Sequence, residues 1–144
     1  MSILIRQAKI IDPSSPFHSK IGDVFIEGDQ ISAIDSQLSY PADQIIDIPG
    51  LHISPGWADV FAHFCDPGFE FKETIESGAN AAAAGGFTDV MLLPNTIPVV
   101  HTKGSVEYII QKSKSTPINL HSIAAVTKNT EGKELSEMYD MHQS

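Results

Sequence analysis

The residues best suited to chemistry lie in Pro55-Gly56-Trp57-Ala58-Asp59-Val60-Phe61-Ala62-His63-Phe64-Cys65-Asp66-Pro67-Gly68. Read as a strand of period two, this run sends Asp59, Phe61, His63 and Cys65 to one side, and Pro67-Gly68 stops it just past His63 and Cys65. Two imidazoles at i and i+2 on such a strand would aim at one metal ion. Here Phe61 stands where the first would be and His63 is the surviving candidate ligand. A thiolate also suits zinc, so His63 with Cys65 is a second possible pairing. The plainer alternatives are a packed or hydrogen-bonded imidazole for His63 and a small apolar filler for Cys65. As a nucleophile, Cys65 has no positioned base in the sequence.

The other polar candidates have modest readings. Asp59 and Asp66, seven positions apart, fall on opposite strand faces and are expected to be solvated or structural. Asn95 follows Pro94, a setting in which asparagine commonly makes local turn bonds. His101 precedes a helix and is expected to be exposed, while His121 falls near the start of a strand, where a structural role is expected. Lys72 and Glu76 are spaced as an i, i+4 helix pair worth about 0.3–0.5 kcal/mol.

The elements that must position these residues change character near residue 52. Before it, short strands are expected at Ile3–Ile11, Asp23–Glu27, Gln30–Ile34 and Gln44–Ile48, with Gly28-Asp29 turning a hairpin. After it, Ile53 to Phe64 reads as a strand buried on both faces, and Phe71 to Ala84 as a helix stopped by Gly85-Gly86. A strand at Thr88–Leu93, a helix at Ser105–Lys114, a strand at Asn119–Val126 and a helix at Glu131–Asp140 follow. Such alternation predicts βαβ units and a parallel sheet. The expected fold class is therefore α/β: a small β segment over 1–54, then three β/α units over 55–144. Three units fall short of the eight that close a barrel, so the chain reads as the N-terminal portion of something larger.

Composition narrows the partners. With 9 Lys+Arg against 18 Asp+Glu the net charge is −9, and no basic run exists to engage phosphates, so nucleic acid is excluded as the expected partner. No apolar stretch approaches the ~18 residues of a membrane span. A single cysteine precludes an internal disulfide and fits a reducing cytoplasm.

The run His63-Phe64-Cys65-Asp66-Pro67-Gly68-Phe69-Glu70-Phe71-Lys72-Glu73-Thr74-Ile75-Glu76-Ser77-Gly78 resembles the signature of dihydroorotases, cyclic-amide hydrolases of the amidohydrolase superfamily. The segments Ala81 to Thr88 and Pro94-Asn95-Thr96-Ile97-Pro98 are similar to the same family. The resemblance implies a split β-sandwich joined to a TIM-type (β/α)8 barrel. It implies one or two zinc ions held by a His-X-His pair, and an arginine that grips the substrate carboxylate. On those positions this chain has Phe61, His63 and, for the arginine, Cys65; Asp66 stands where glutamate is usual, and Asn95 matches a substrate-binding asparagine. The remaining ligands would come from strands beyond Ser144. A phenyl ring donates no lone pair and a thiol cannot reproduce an arginine fork. The resemblance thus implies a non-catalytic or weakly active relative in pyrimidine biosynthesis, zinc-bound or zinc-free, serving as a structural partner of aspartate carbamoyltransferase, with self-association as a further expectation. The alternative is an active hydrolase using a single metal with ligands beyond residue 144.

Overall fold

Leu4, Ala8 and Ile10 are the buried positions of β1 (Ser2–Ile10), the first before and the other two after a bulge in that strand. That strand organises the first of two units, Met1–Pro55; the second is Gly56–Ser144, and the computed structural model describes all 144 residues. β2 (Ile21–Glu27) runs antiparallel to β1 and turns through Gly28, at φ +63, into β3 (Gln30–Asp35). On its other side β1 takes β4 (Gln44–Asp47) and then β5 (His52–Ile53), both parallel. The sheet order is β3-β2-β1-β4, with β5 also on β1. Leu4, Phe25 and Leu38 form its small core.

A bulge in β1 shapes the polar interior of this unit. Between Ile5 and Ala8, β1 spends one residue more than β2, and Gln7 adopts φ 46. The buried Asp23 fills the resulting gap. Its carboxylate accepts from Gln7 N (2.9 Å), Gln7 Nε2 (3.0 Å), Leu38 N (3.0 Å) and Arg6 Nη1 (2.7 Å). Burial pushes this carboxyl up, but those donors outweigh it and bring it down to about 2.

In the second unit β6 (Trp57–Ala62), β7 (Phe87–Leu92) and β8 (Asn119–Ser122) form a parallel sheet in that order. α1 (Ile75–Ala84) and α2 (Lys103–Ser113) are the crossovers. Each opens on a threonine N-cap with a reciprocal serine, Thr74 with Ser77 and Thr102 with Ser105, an arrangement worth about 1 kcal/mol apiece. Ile75, Ala79, Val106 and Ile109 of the helices pack on Val90, Leu92 and Leu120 of the sheet. Each fully buried aliphatic side chain contributes roughly 1.5–3 kcal/mol.

Several expectations need correction. The run Ile53 to Phe64 is not one strand buried on both faces. Its start joins the first sheet as β5, and β6 is an edge strand on which Trp57, Val60 and Phe61 are exposed, because the helices cover only one face. α1 begins at Ile75 rather than Phe71, since the Thr74 cap sets its start; Lys72 lies ahead of it, over the rings of Phe69 and Phe71, instead of pairing with Glu76. β8 ends at Ser122. The helix expected at Glu131–Asp140 is replaced by a turn: Thr127 bridges Leu135, Gly132 takes φ +71, and only Met138–His142 is helical, as α3.

Candidate functional site

The C-terminal end of β6 does not keep a period of two. Asp59 is paired with Val90 and Ala62 with Leu92, so three residues of β6 advance against two of β7. Asp59 Oδ1 accepts the N–H of Phe61 at 2.9 Å within this bulge. Asp59 lines a cavity on the helix side with Phe64, Gly78 and Val90, and Ala62 packs on the helix-side core, whereas Phe61 is 74% exposed. Asp59 and Phe61 therefore do not share a face, contrary to the simple alternation.

Beyond Ala62 the chain leaves the strand. His63 is exposed, and Phe64 turns inward against α1, where Gly78 leaves room for its ring. Cys65 adopts φ 64, a left-handed conformation unusual for a residue with a side chain. That turn swings its sulfur to 3.9 Å from His63 Nδ1. The two sequence candidates are thus brought together, with Sγ half-buried and the imidazole open to solvent.

Asp66 fixes this end in place. It is 2% exposed, and its carboxylate accepts from Tyr108 Oη (2.7 Å) and from Ile75 N, the first residue of α1 (3.2 Å), with Lys112 Nζ at 3.6 Å. Burial and the Asp66 hydrogen bond push the Tyr108 hydroxyl up, and Tyr108 and Asp66 together raise Lys112. The structural role expected for Asp66 is met by a three-element junction that sequence reading did not find. The i, i+4 spacing of Tyr108 and Lys112 on α2 was its only trace.

Asn95 is exposed on the loop after β7. That loop is stitched to the β6 loop through Ile97 N to Pro67 O (3.1 Å), and it is closed by the buried Thr96, whose hydroxyl donates to Pro98 O (2.8 Å). Gly68, at φ +98, is required there: a Cβ would come within 2.1 Å of Ile97 O. His101 is half-buried and bonds Val99 O (2.9 Å), not exposed as expected. His121 sits in the later half of β8 rather than near its start, its Nε2 3.0 Å from Asp89 Oδ1.

Zinc asks for three or four N, S or O donors around one point. The end of β6 offers one imidazole and one thiol, Phe61 offers nothing, and no group of three His, Cys, Asp or Glu side chains converges. The residues of this chain do not by themselves fit a closed zinc site.

The fold is α/β, a parallel sheet with helical crossovers whose loops gather at the C-terminal ends of the strands. A family model described as dihydro-orotase-like matches residues 50–144, and the chain belongs to that family. It is 45% identical over 139 residues to a dihydroorotase of Clostridioides difficile and 41% identical over 137 residues to one of Solibacter usitatus, in each case covering 94% of this chain and 32% of the relative. Among solved structures it is similar to an L-hydantoinase from Arthrobacter aurescens, with TM-score 0.74 and 19% identity over 98% of this chain and 30% of that one. A D-hydantoinase from Thermus sp. gives TM-score 0.68 and 26% identity over the same shares. The chain spans about a third of the length of the curated relatives it matches. No helix is long and apolar enough to cross a membrane.

Proposed function

We propose that this chain corresponds to the amino-terminal part of a dihydroorotase-like protein that has given up catalysis and acts as a structural partner of aspartate carbamoyltransferase in a cytoplasmic pyrimidine pathway. On this reading residues 1–54 belong to a composite β-sandwich and 55–144 are the first three units of a (β/α)8 barrel. The observation that carries it is Phe61. Its exposed ring occupies the strand position where the family resemblance implies a metal-binding imidazole, and Cys65 occupies that of the carboxylate-gripping arginine. The chemistry of this family relies on a metal that polarises the amide carbonyl and supplies a hydroxide nucleophile. The intact caps, core and Asp66 junction around the altered positions support a fold that is still needed. Self-association is compatible with this role.

A second reading is favoured by His63 and Asn95. Both stay exposed on loops joined through Ile97 and Pro67, so a single-zinc cyclic-amide hydrolase could use them with ligands from later strands.

The test is a dihydroorotate hydrolysis assay on the full chain with zinc supplied, alongside size-exclusion chromatography with aspartate carbamoyltransferase. No turnover together with co-elution is the expected result. Zinc-dependent hydrolysis that His63→Ala abolishes would establish the second reading instead.

A further inference from the structure

Cys65 holds a left-handed backbone, at φ 64, which a residue with a Cβ keeps only where its surroundings impose it. Both of its chain neighbours are anchored. On one side the Phe64 ring packs on the core beneath α1, against Gly78. On the other side the buried Asp66 carboxylate is held at both oxygens. Oδ1 accepts from Tyr108 Oη of α2 at 2.7 Å, and Oδ2 accepts from Ile75 N of α1 at 3.2 Å. Lys112 Nζ stands 3.6 Å from Oδ2 and 5.4 Å from the centre of the Tyr108 ring, which adds charge on the α2 side. The Cys65 carbonyl accepts from Phe69 N at 2.8 Å. With its neighbours held, Cys65 takes the dihedrals left to it, and its sulfur comes to 3.9 Å from His63 Nδ1.

From this arrangement we propose that Asp66 is a positioning residue for Cys65: clamped between α1 and α2, it maintains the left-handed turn that sets the thiol beside the His63 imidazole. Hydrogen bonds at both oxygens fix the plane of the carboxylate and, through it, the backbone that follows Cys65. No hydrogen bond of His63 or Cys65 reaches α2 directly, so the influence of Tyr108 and Lys112 on that pair runs through Asp66. Every member of the clamp lies between residues 63 and 112 and its carboxylate is already buried, so it draws on no exposed face. The family resemblance gives position 65 to a carboxylate-gripping arginine. The chain has lost that arginine and kept the device that aims whatever stands there. This consequence rests on the family reading of position 65, whereas the clamp itself does not.

The experiment is NMR on the isotope-labelled full chain, comparing the parent with Tyr108→Phe, Asp66→Asn and Thr102→Ala. Two signals report the geometry. One is the strong intraresidue HN–Hα NOE that marks a positive φ at Cys65; the other is an NOE between the Cys65 β-protons and the His63 ring. Both are expected in the parent chain. Tyr108→Phe removes one hydroxyl, and Asp66→Asn turns an amide N–H toward a donor, so both signals are expected to weaken in each. Tyr108→Phe keeps the ring and carries the test if Asp66→Asn fails to fold. Thr102→Ala removes the N-cap of α2 without touching Asp66, and is expected to leave both signals as in the parent. Unshifted methyl resonances of Val90 and Leu92 report an intact core. Unchanged signals in a folded Tyr108→Phe, an equal loss in Thr102→Ala, or a parent chain without the positive-φ NOE would each overturn the proposal. Dihydroorotate hydrolysis, present or absent, leaves these signals unaffected, so the two readings fail separately.

Discussion

Tyr108 donates its hydroxyl to the buried carboxylate of Asp66 at 2.7 Å, joining the second helix to the loop that ends the first strand of the parallel sheet. The other oxygen of that carboxylate accepts the N–H of Ile75 at the start of α1, so one side chain ties three elements together. Tyr108→Phe is expected to destabilise the chain by about 1–2 kcal/mol, the loss of a hydrogen bond to a charged group at a partly exposed tyrosine. Asp66→Ala is expected to cost more, because the Ile75 N–H then loses its partner. Urea denaturation of both variants and their double mutant checks this, with non-additivity above about 0.5 kcal/mol as the sign of direct coupling.

Gly78 faces the ring of Phe64, and a Cβ there would come within 2.7 Å of two ring carbons. Gly78→Ala gains roughly 1 kcal/mol in helix propensity, yet overpacking of this kind costs about 1–3 kcal/mol. Net destabilisation is expected. Because Phe64 lies between His63 and Cys65, the His63 imidazole resonances are expected to shift as well. Thermal denaturation and NMR read the two effects separately.

Acid sensitivity should centre on Asp23. Its folded value of about 2 lies below the ordinary 3.8. A group depressed in this way contributes stability that is complete above its unfolded value and is lost as the pH falls through the folded value. Between about pH 5 and pH 2 the chain should lose about 2 kcal/mol through this residue. Asp23→Asn should be less stable at neutral pH and show a flatter dependence across that window, measured as denaturation midpoints at a series of pH values.

Phe61 is mostly exposed, so Phe61→His should change stability by no more than about 0.5 kcal/mol. By adding a second imidazole beside His63 it is expected to raise zinc affinity at the end of β6, whereas Cys65→Arg, which removes the thiol and adds a positive charge, is expected to lower it. Zinc titration of the parent chain and of the two single variants reads the gain and the loss separately.

The strand–helix alternation and the Gly28 hairpin were legible because each is written locally, in apolar runs punctuated by glycine and proline. The break between β5 and β6 was not, since the apolar run from Ile53 to Phe64 is continuous and only tertiary pairing divides it. Nor was the bulge at Asp59–Ala62. It depends on how many residues of β7 lie opposite, and it is what moved Asp59 away from the face of Phe61. The helix expected after Glu131 failed at Gly132, whose left-handed backbone serves a turn. His63 and Cys65 could be found from residue type and spacing. Asp66, Tyr108 and Lys112 could not be grouped, because 42 residues separate the first two.

The central position of β1 bears on synthesis. All its partners, β2 on one side and β4 and β5 on the other, lie within the first 53 residues. As the chain leaves the ribosome, β1 can meet β2 at once but must wait for β4 and β5. One of its edges stays open while residues 28 to 43 pass, and every pairing of that strand is available before β6 emerges.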